Sequence, residues 1–166
     1  GMNITTAIRN VLVGGLAGDS LTEGAYNTAV GMFALSTEDA HGMNTAVGYG
    51  ALEQQNAGAN AYNTAIGYNA GNAITTAINN TFVGGNTGLA LQSGNDNTAV
   101  GTYAADALTV GVRNVAIGTY ALSSEDGNGY NVAVGHGALL NQNAGADAHN
   151  TAVGYSTGAA ITTGSY

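Results

Sequence analysis

One pentapeptide recurs nine times along this chain: Asn, mostly Thr, mostly Ala, Val or Ile, then Gly. It is clearest as Asn27-Thr28-Ala29-Val30-Gly31 and Asn44-Thr45-Ala46-Val47-Gly48. The anchor asparagines are Asn10, Asn27, Asn44, Asn63, Asn80, Asn97, Asn114, Asn131 and Asn150, spaced by 17, 17, 19, 17, 17, 17, 17 and 19 residues. A near-fixed period over almost the whole chain means one small supersecondary unit stacked repeatedly. Such stacks present surfaces and seldom build a single catalytic pocket.

Each unit, or coil, is counted here from its asparagine as position one. Positions two to four predict a strand, with Thr and Val on one face and Ala on the other. Position four is always β-branched, which suits a pleated strand. Position five is Gly in all nine coils, predicting a positive φ or a site too tight for a Cβ. A second apolar segment follows, as in Tyr49-Gly50-Ala51-Leu52, with Ala or Thr always at position eight. The remainder is polar and variable, as in a surface turn.

Two coils vary together. Leu12 and Phe82 replace the usual Ala at position three, and both coils carry Gly at position six, Gly15 and Gly85. Packed interiors conserve volume, so these positions are expected to touch inside a thin coil. A longer period overlies the first. Ile74-Thr75-Thr76 recurs at Ile161, with an earlier copy at Ile4, and Asn56-Ala57-Gly58-Ala59 recurs at Asn143 as the extra residues of the two long coils. A triangular β-helix needs three aliphatic columns. Here one is strict and a second is partial, at Leu35, Leu52, Leu122 and Leu139. With no third column recognised, a flat two-stranded roll is expected.

The periodic glycines and 45% hydrophobic content argue against disorder. Lysine is absent and Arg9 and Arg113 face ten acids, so phosphate-directed nucleic-acid binding and attraction to an anionic membrane are excluded. No apolar run approaches the ~20 residues that cross a bilayer as a helix, so no membrane insertion is expected. There is no cysteine. Gly1 reads as a tag scar, and residues 2–166 as one repeat domain. No signal peptide is visible after Met2, which predicts either a chain made without Sec export or an excised piece.

At Val115-Ala116-Ile117-Gly118 and Ala133-Val134-Gly135 the chain resembles the head repeat of YadA-like trimeric autotransporter adhesins. Its Asn-Thr-Ala-Val-Gly form is similar to repeats of phage tail fibres. The resemblance covers about residues 10 to 158. It implies a left-handed parallel β-roll that trimerises, on a virion fibre or at the cell surface. The adhesin repeat is shorter, and no stalk or membrane-anchor segment is present in this sequence, so a fibre segment or an excised head is preferred. The expected fold is thus all-β: a parallel β-solenoid of about nine coils of 17–19 residues, homotrimeric, forming a rod ~43 Å long at ~4.8 Å per coil.

A roll this thin buries little apolar surface by itself. Val30, Val47, Ile66, Val83, Val100, Ile117, Val134 and Val153 are therefore expected to line the trimer interface, with the Thr column beside them. Asn27, Asn44, Asn63, Asn80, Asn97, Asn114, Asn131 and Asn150 are expected to form a hydrogen-bonded ladder. The Thr column is read as a strand column, and an ice-binding face is the rival. Tyr26, Tyr62 and Tyr130, each directly before an anchor asparagine, are the candidate contacts to a glycan or protein receptor. The alternative for these and for Tyr49, Tyr68, Tyr103, Tyr120 and Tyr155 is aromatics stacked along the roll or placed at the trimer seam.

Ser36-Thr37-Glu38-Asp39 and Ser123-Ser124-Glu125-Asp126 read as solvated acidic turns, too poor in oxygens for calcium without neighbours, with weak cation binding as the rival reading. His41, His136 and His149 fall at three different coil positions, so no metal column is indicated, and His136 is read as packing. No nucleophile, base and orienter recur at a usable spacing. Neither catalysis nor a cofactor is expected. A polysaccharide-acting tailspike-like enzyme is the rival from that class, and it needs acids facing one groove.

Overall fold

The computed structural model describes residues 3–164. Gly1, Met2, Ser165 and Tyr166 lie outside the described residues. Nine strands follow one another: β1 (Val11–Val13), β2 (Thr28–Val30), β3 (Thr45–Val47), β4 (Thr64–Ile66), β5 (Thr81–Val83), β6 (Thr98–Val100), β7 (Val115–Ile117), β8 (Val132–Val134) and β9 (Thr151–Val153). They form one parallel sheet in sequence order. Every pairing is in register, so Ala29 lies beside Ala46 and Val30 beside Val47. The chain is a β-solenoid, and the described residues contain no helix.

The strand alternation is as the sequence dictates. The middle residue points inward and is wholly buried from Ala29 to Ala133, while the flanking Thr and Val face outward and stay partly open. The two-stranded roll is not what forms. Positions seven to nine are not a second strand, because positions seven and nine are left-handed in every coil, as at Phe33 (φ 62°) and Leu35 (φ 52°). A residue with φ > 0 turns its N–H relative to its neighbours. Phe33 N–H therefore donates back to Gly15 O (3.0 Å), and Leu35 N–H donates forward to Ala51 O (3.0 Å). The strand side does the same, with Thr28 N–H donating forward to Asn44 O (2.9 Å) and Gly31 N–H donating back to Val13 O (2.7 Å). Each coil is thus bonded to both neighbours on both of its sides. Gly31 (φ 134°) cannot be another residue, since a Cβ there would run into the backbone of Gly48.

The asparagines join this network. Each anchor Oδ1 accepts the N–H of the next anchor, from Asn27 N to Asn10 Oδ1 (2.7 Å) through Asn97 N to Asn80 Oδ1 (2.9 Å) to Asn150 N on Asn131 Oδ1 (3.2 Å). Several side-chain amides also close their own coil, as Asn97 Nδ2 does on Gly111 O (2.8 Å) and Asn114 Nδ2 on Asn128 O (2.9 Å).

A third inward column does exist, at position twelve: Leu21, Glu38, Gln55, Ile74, Leu91, Leu108, Glu125 and Gln142, all buried. It is coupled to position nine. Glu or Gln at twelve accompanies Leu at nine, in Leu35/Glu38, Leu52/Gln55, Leu122/Glu125 and Leu139/Gln142. Leu or Ile at twelve accompanies Gly or Ala, in Gly18/Leu21, Gly71/Ile74, Gly88/Leu91 and Ala105/Leu108. The partners of Leu12 and Phe82 are likewise at position nine. A Cβ on Gly18 would lie 2.8 Å from Leu12 Cδ2, and one on Gly88 would lie 2.7 Å from the Phe82 ring. Gly15 and Gly85 face outward, where a Cβ would meet nothing closer than 3.9 Å. The volume exchange expected from the sequence is real, but its second partner is three residues further on. Positions three, nine and twelve fill one shared space per coil.

Leu122→Gly alone should cost about 2–4 kcal/mol in urea unfolding, the usual range for a vacated leucine site. Leu122→Gly/Glu125→Leu, which copies the pairing of Gly88 with Leu91, should recover at least half of that loss. A double variant as unstable as the sum of its singles would show that the two positions do not share volume.

Candidate functional site: the outward Thr/Val face and its flanking columns

The outward side of the sheet carries two parallel columns. One runs Thr28, Thr45, Thr64, Thr81, Thr98, Val115, Val132 and Thr151, and the other runs from Val30 to Val153 through Ile66 and Ile117. Every member is β-branched and of similar height, so the face is flat and regular. Val30, Val47, Val83, Val100 and Val134 are half-buried, Ile66 is 40% exposed and Val153 is 66% exposed. This is an unbroken apolar stripe with water on its outer side in the single chain.

One margin of the face is formed by the residues directly before the asparagines, all in left-handed backbone. Tyr26 lies beneath Arg9, whose guanidinium is 5.2 Å from the ring centre and donates to the phenol oxygen. Tyr130 is held between Arg113, at 5.4 Å, and the stacked ring of His149, at 4.9 Å. Asp96 faces Arg113 Nε at 3.8 Å and accepts from Asn79 Nδ2 (3.1 Å). Tyr62 is 56% exposed. Of the three candidate receptor tyrosines, two already have a cation against the ring, and Tyr62 is the most open.

The other margin carries the aromatics of positions six and seven. Phe33 meets Tyr49 edge-on (5.7 Å), and Tyr49 stacks on Tyr68 (5.5 Å). Gly85 and Asn86 then interrupt the column, and it resumes as Tyr103 on Tyr120 (5.4 Å), followed by His136 and Tyr155. The rings stack on one another but stay open to water, with Tyr68 57% and Tyr155 80% exposed. His136 packs in this stack.

The acidic turns are not two solvated carboxylates. Glu38 and Glu125 are fully buried, whereas Asp39 and Asp126 are exposed. The buried carboxylates cap the turn from within. Glu38 Oε1 accepts His41 N–H (3.1 Å), and Glu125 Oε1 accepts both Asn128 N–H (3.1 Å) and its Nδ2 (2.8 Å). Desolvation raises the Glu38 carboxyl above its ordinary value, opposed by the His41 amide. Gln55 and Gln142 take the same place in the long coils and accept from Asn63 Nδ2 (2.8 Å) and Asn150 Nδ2 (2.9 Å). Sequence reasoning missed these interior groups, and the signal was their constant offset of eleven residues from the asparagine.

No enclosed pocket is found among the described residues, and no described helix is long and apolar enough to cross a membrane. No protein-family model, curated protein or solved structure matches this chain.

Asp106 gives the scaffold a measurable pH dependence. Its Oδ1 is enclosed without a partner, and desolvation raises its carboxyl above 3.8. A raised acid binds its proton more tightly when folded, so its stabilisation is full below pH 3.8 and is lost as pH rises through the raised value. Asp106→Ser copies Ser36 and Ser123 at this position. It should raise the unfolding midpoint at neutral pH and not below pH 3.8. An equal gain at both pH values would remove the titration as its cause.

Proposed function

We propose that this chain is a structural, adhesive fibre segment: a left-handed β-solenoid that trimerises along the Thr/Val face and presents a receptor-binding surface on a virion fibre or cell surface. The observation that carries the reading is the open, in-register stripe from Val30 to Val153. A solvent-facing apolar stripe on a soluble rod is normally covered, and three copies about one axis cover it with identical contacts. The resemblance of the repeat to trimeric adhesin heads points the same way. Receptor contact then falls to the turns and to the margin bearing Tyr62, where a glycan or a protein meets an uncovered ring.

One observation favours a second reading. The two columns are flat, uniformly β-branched and spaced by the strand repeat, which suits recognition of an ordered ice lattice. The enzyme reading draws no support from the acids, because Glu38 and Glu125 are interior and no pair faces a common groove.

Light scattering should give three times the chain mass of 16.3 kDa. Val47→Asp/Val100→Asp should yield monomers or aggregates, while an exposed control such as Asn56→Asp leaves the assembly intact. A stable wild-type monomer sinks the trimer. In that case thermal hysteresis in dilute solution decides for the ice-binding face, and its absence closes that reading.

A further inference from the structure

The turn of the second coil brings a ligand atom from each of Glu38, Asp39 and His41 within 4.8 Å of one another. The Glu38 side chain is wholly buried, and its Oε2 has no hydrogen-bond partner. His41 Nδ1 is enclosed and equally unpartnered, 3.8 Å from Glu38 Oε1. That separation is too long for a hydrogen bond. The equivalent turn of the seventh coil shows how such a turn closes without help. There Asn128 stands where His41 does, and its Nδ2 bonds Glu125 Oε1 at 2.8 Å. Glu125 Oε2 is unpartnered there as Glu38 Oε2 is here, so what the imidazole changes is the lost amide bond to the carboxylate and an enclosed, unpartnered ring nitrogen beside it.

We infer that Glu38, Asp39 and His41 form a binding site for a divalent cation of the zinc class. One imidazole nitrogen and two carboxylate oxygens leave a fourth tetrahedral position for water. Two ligands each ~2.1 Å from a tetrahedral ion stand roughly 3.4 Å apart, so a small closure of the present 3.8 Å gap suffices. The donor set disfavours calcium, which takes six or more oxygens. The cation supplies the charge that the buried Glu38 carboxylate lacks, and it ties the turn at Asp39 to the interior column. The role is a structural staple on one coil, independent of how the Thr/Val face is covered.

The test is equilibrium dialysis of the full chain against zinc chloride, with bound metal measured by mass spectrometry and melting followed in parallel. The wild type should retain about one zinc per chain more than His41→Asn, and saturating zinc should raise its Tm by ~3 °C and leave the variant unmoved. His41→Asn copies the Asn128 turn, and metal-free melting checks that it folds. Asp39→Asn is a second variant expected to weaken binding at least tenfold. His136→Asn/His149→Asn should bind zinc as the wild type does. Equal zinc on wild type and His41→Asn, or no zinc on the wild type, overturns the site. A larger stabilisation by calcium than by zinc overturns the imidazole as a ligand.

Discussion

Hydrogen bonds along the rod axis, made by every side of every coil, are what the remaining structure depends on. A three-residue strand is too short to hold a parallel sheet alone. The chain supplements it by placing a left-handed residue at positions five, seven and nine and directly before each asparagine. Each such non-glycine residue costs about 1–2 kcal/mol of local strain. In exchange its N–H points along the axis and meets a carbonyl of the adjacent coil, as Met43 does with Ala25 O (3.1 Å) and Tyr103 with Gly85 O (3.0 Å). The asparagine Oδ1 fills the place where the backbone supplies no acceptor, at the entry to each strand. Loss of one anchor would leave a buried N–H unsatisfied in a medium where water cannot replace it.

That axial bonding fixes the coil outline, and the outline fixes how much can be packed inside. One Ala or Phe from position three, one residue from nine and one from twelve share the interior. The exchange of Leu35/Glu38 for Gly71/Ile74 follows from a constant outline with variable fillings. It also explains how a glutamate enters the core. Where leucine already fills the space from position nine, position twelve is left to cap its own turn with a carboxylate or to meet the asparagine ladder with an amide. The cost of the acidic choice is an unpartnered oxygen at Glu38 and at Glu125.

The strands, their register and the asparagine column were legible because each rests on one residue type repeated at one spacing. The third column was not, because it mixes Leu and Ile with Glu and Gln. A hydropathy reading treats those four as two classes, while the packing treats them as one position. Gly15 and Gly85 were taken for the partners of Leu12 and Phe82 because a glycine at position six occurs only in those two coils, whereas glycine at position nine also occurs at Gly71 and Gly158, in coils with Ala at position three. Strand alternation already sets position six on the outward side with positions two and four, where a Cβ on Gly15 or Gly85 meets nothing closer than 3.9 Å. The two-stranded expectation failed because left-handed residues such as Leu122 and Tyr120 carry no signature that distinguishes them from strand residues. Tyr26 and Tyr130 were legible as candidate contact residues, but their arginine partners lie 17 residues away and become neighbours only once the coils stack.

The most uniform surface of the molecule is the one its own interior demands least. Positions nine and twelve vary widely although they are buried, and position three departs from Ala at Leu12 and Phe82, because the three compensate one another. The outward positions two and four have no partner within the coil, and β-propensity alone would admit Tyr, Phe or Trp as readily as Thr and Val. Yet position four is Val or Ile in all nine coils, and position two is Thr or Val in all nine, residues that differ in shape by little more than a hydroxyl. The proposed covering copy supplies a constraint that the coil itself does not: it would read a flat surface of constant height, and a taller side chain at any one coil would hold it off from its neighbours. The turns vary freely by comparison, and in the two long coils Gly58 and Gly145 stand in open space. The proposed function would thereby separate assembly from recognition within a single 17-residue unit, the first on the strand's outer face and the second on the turns that the strand positions.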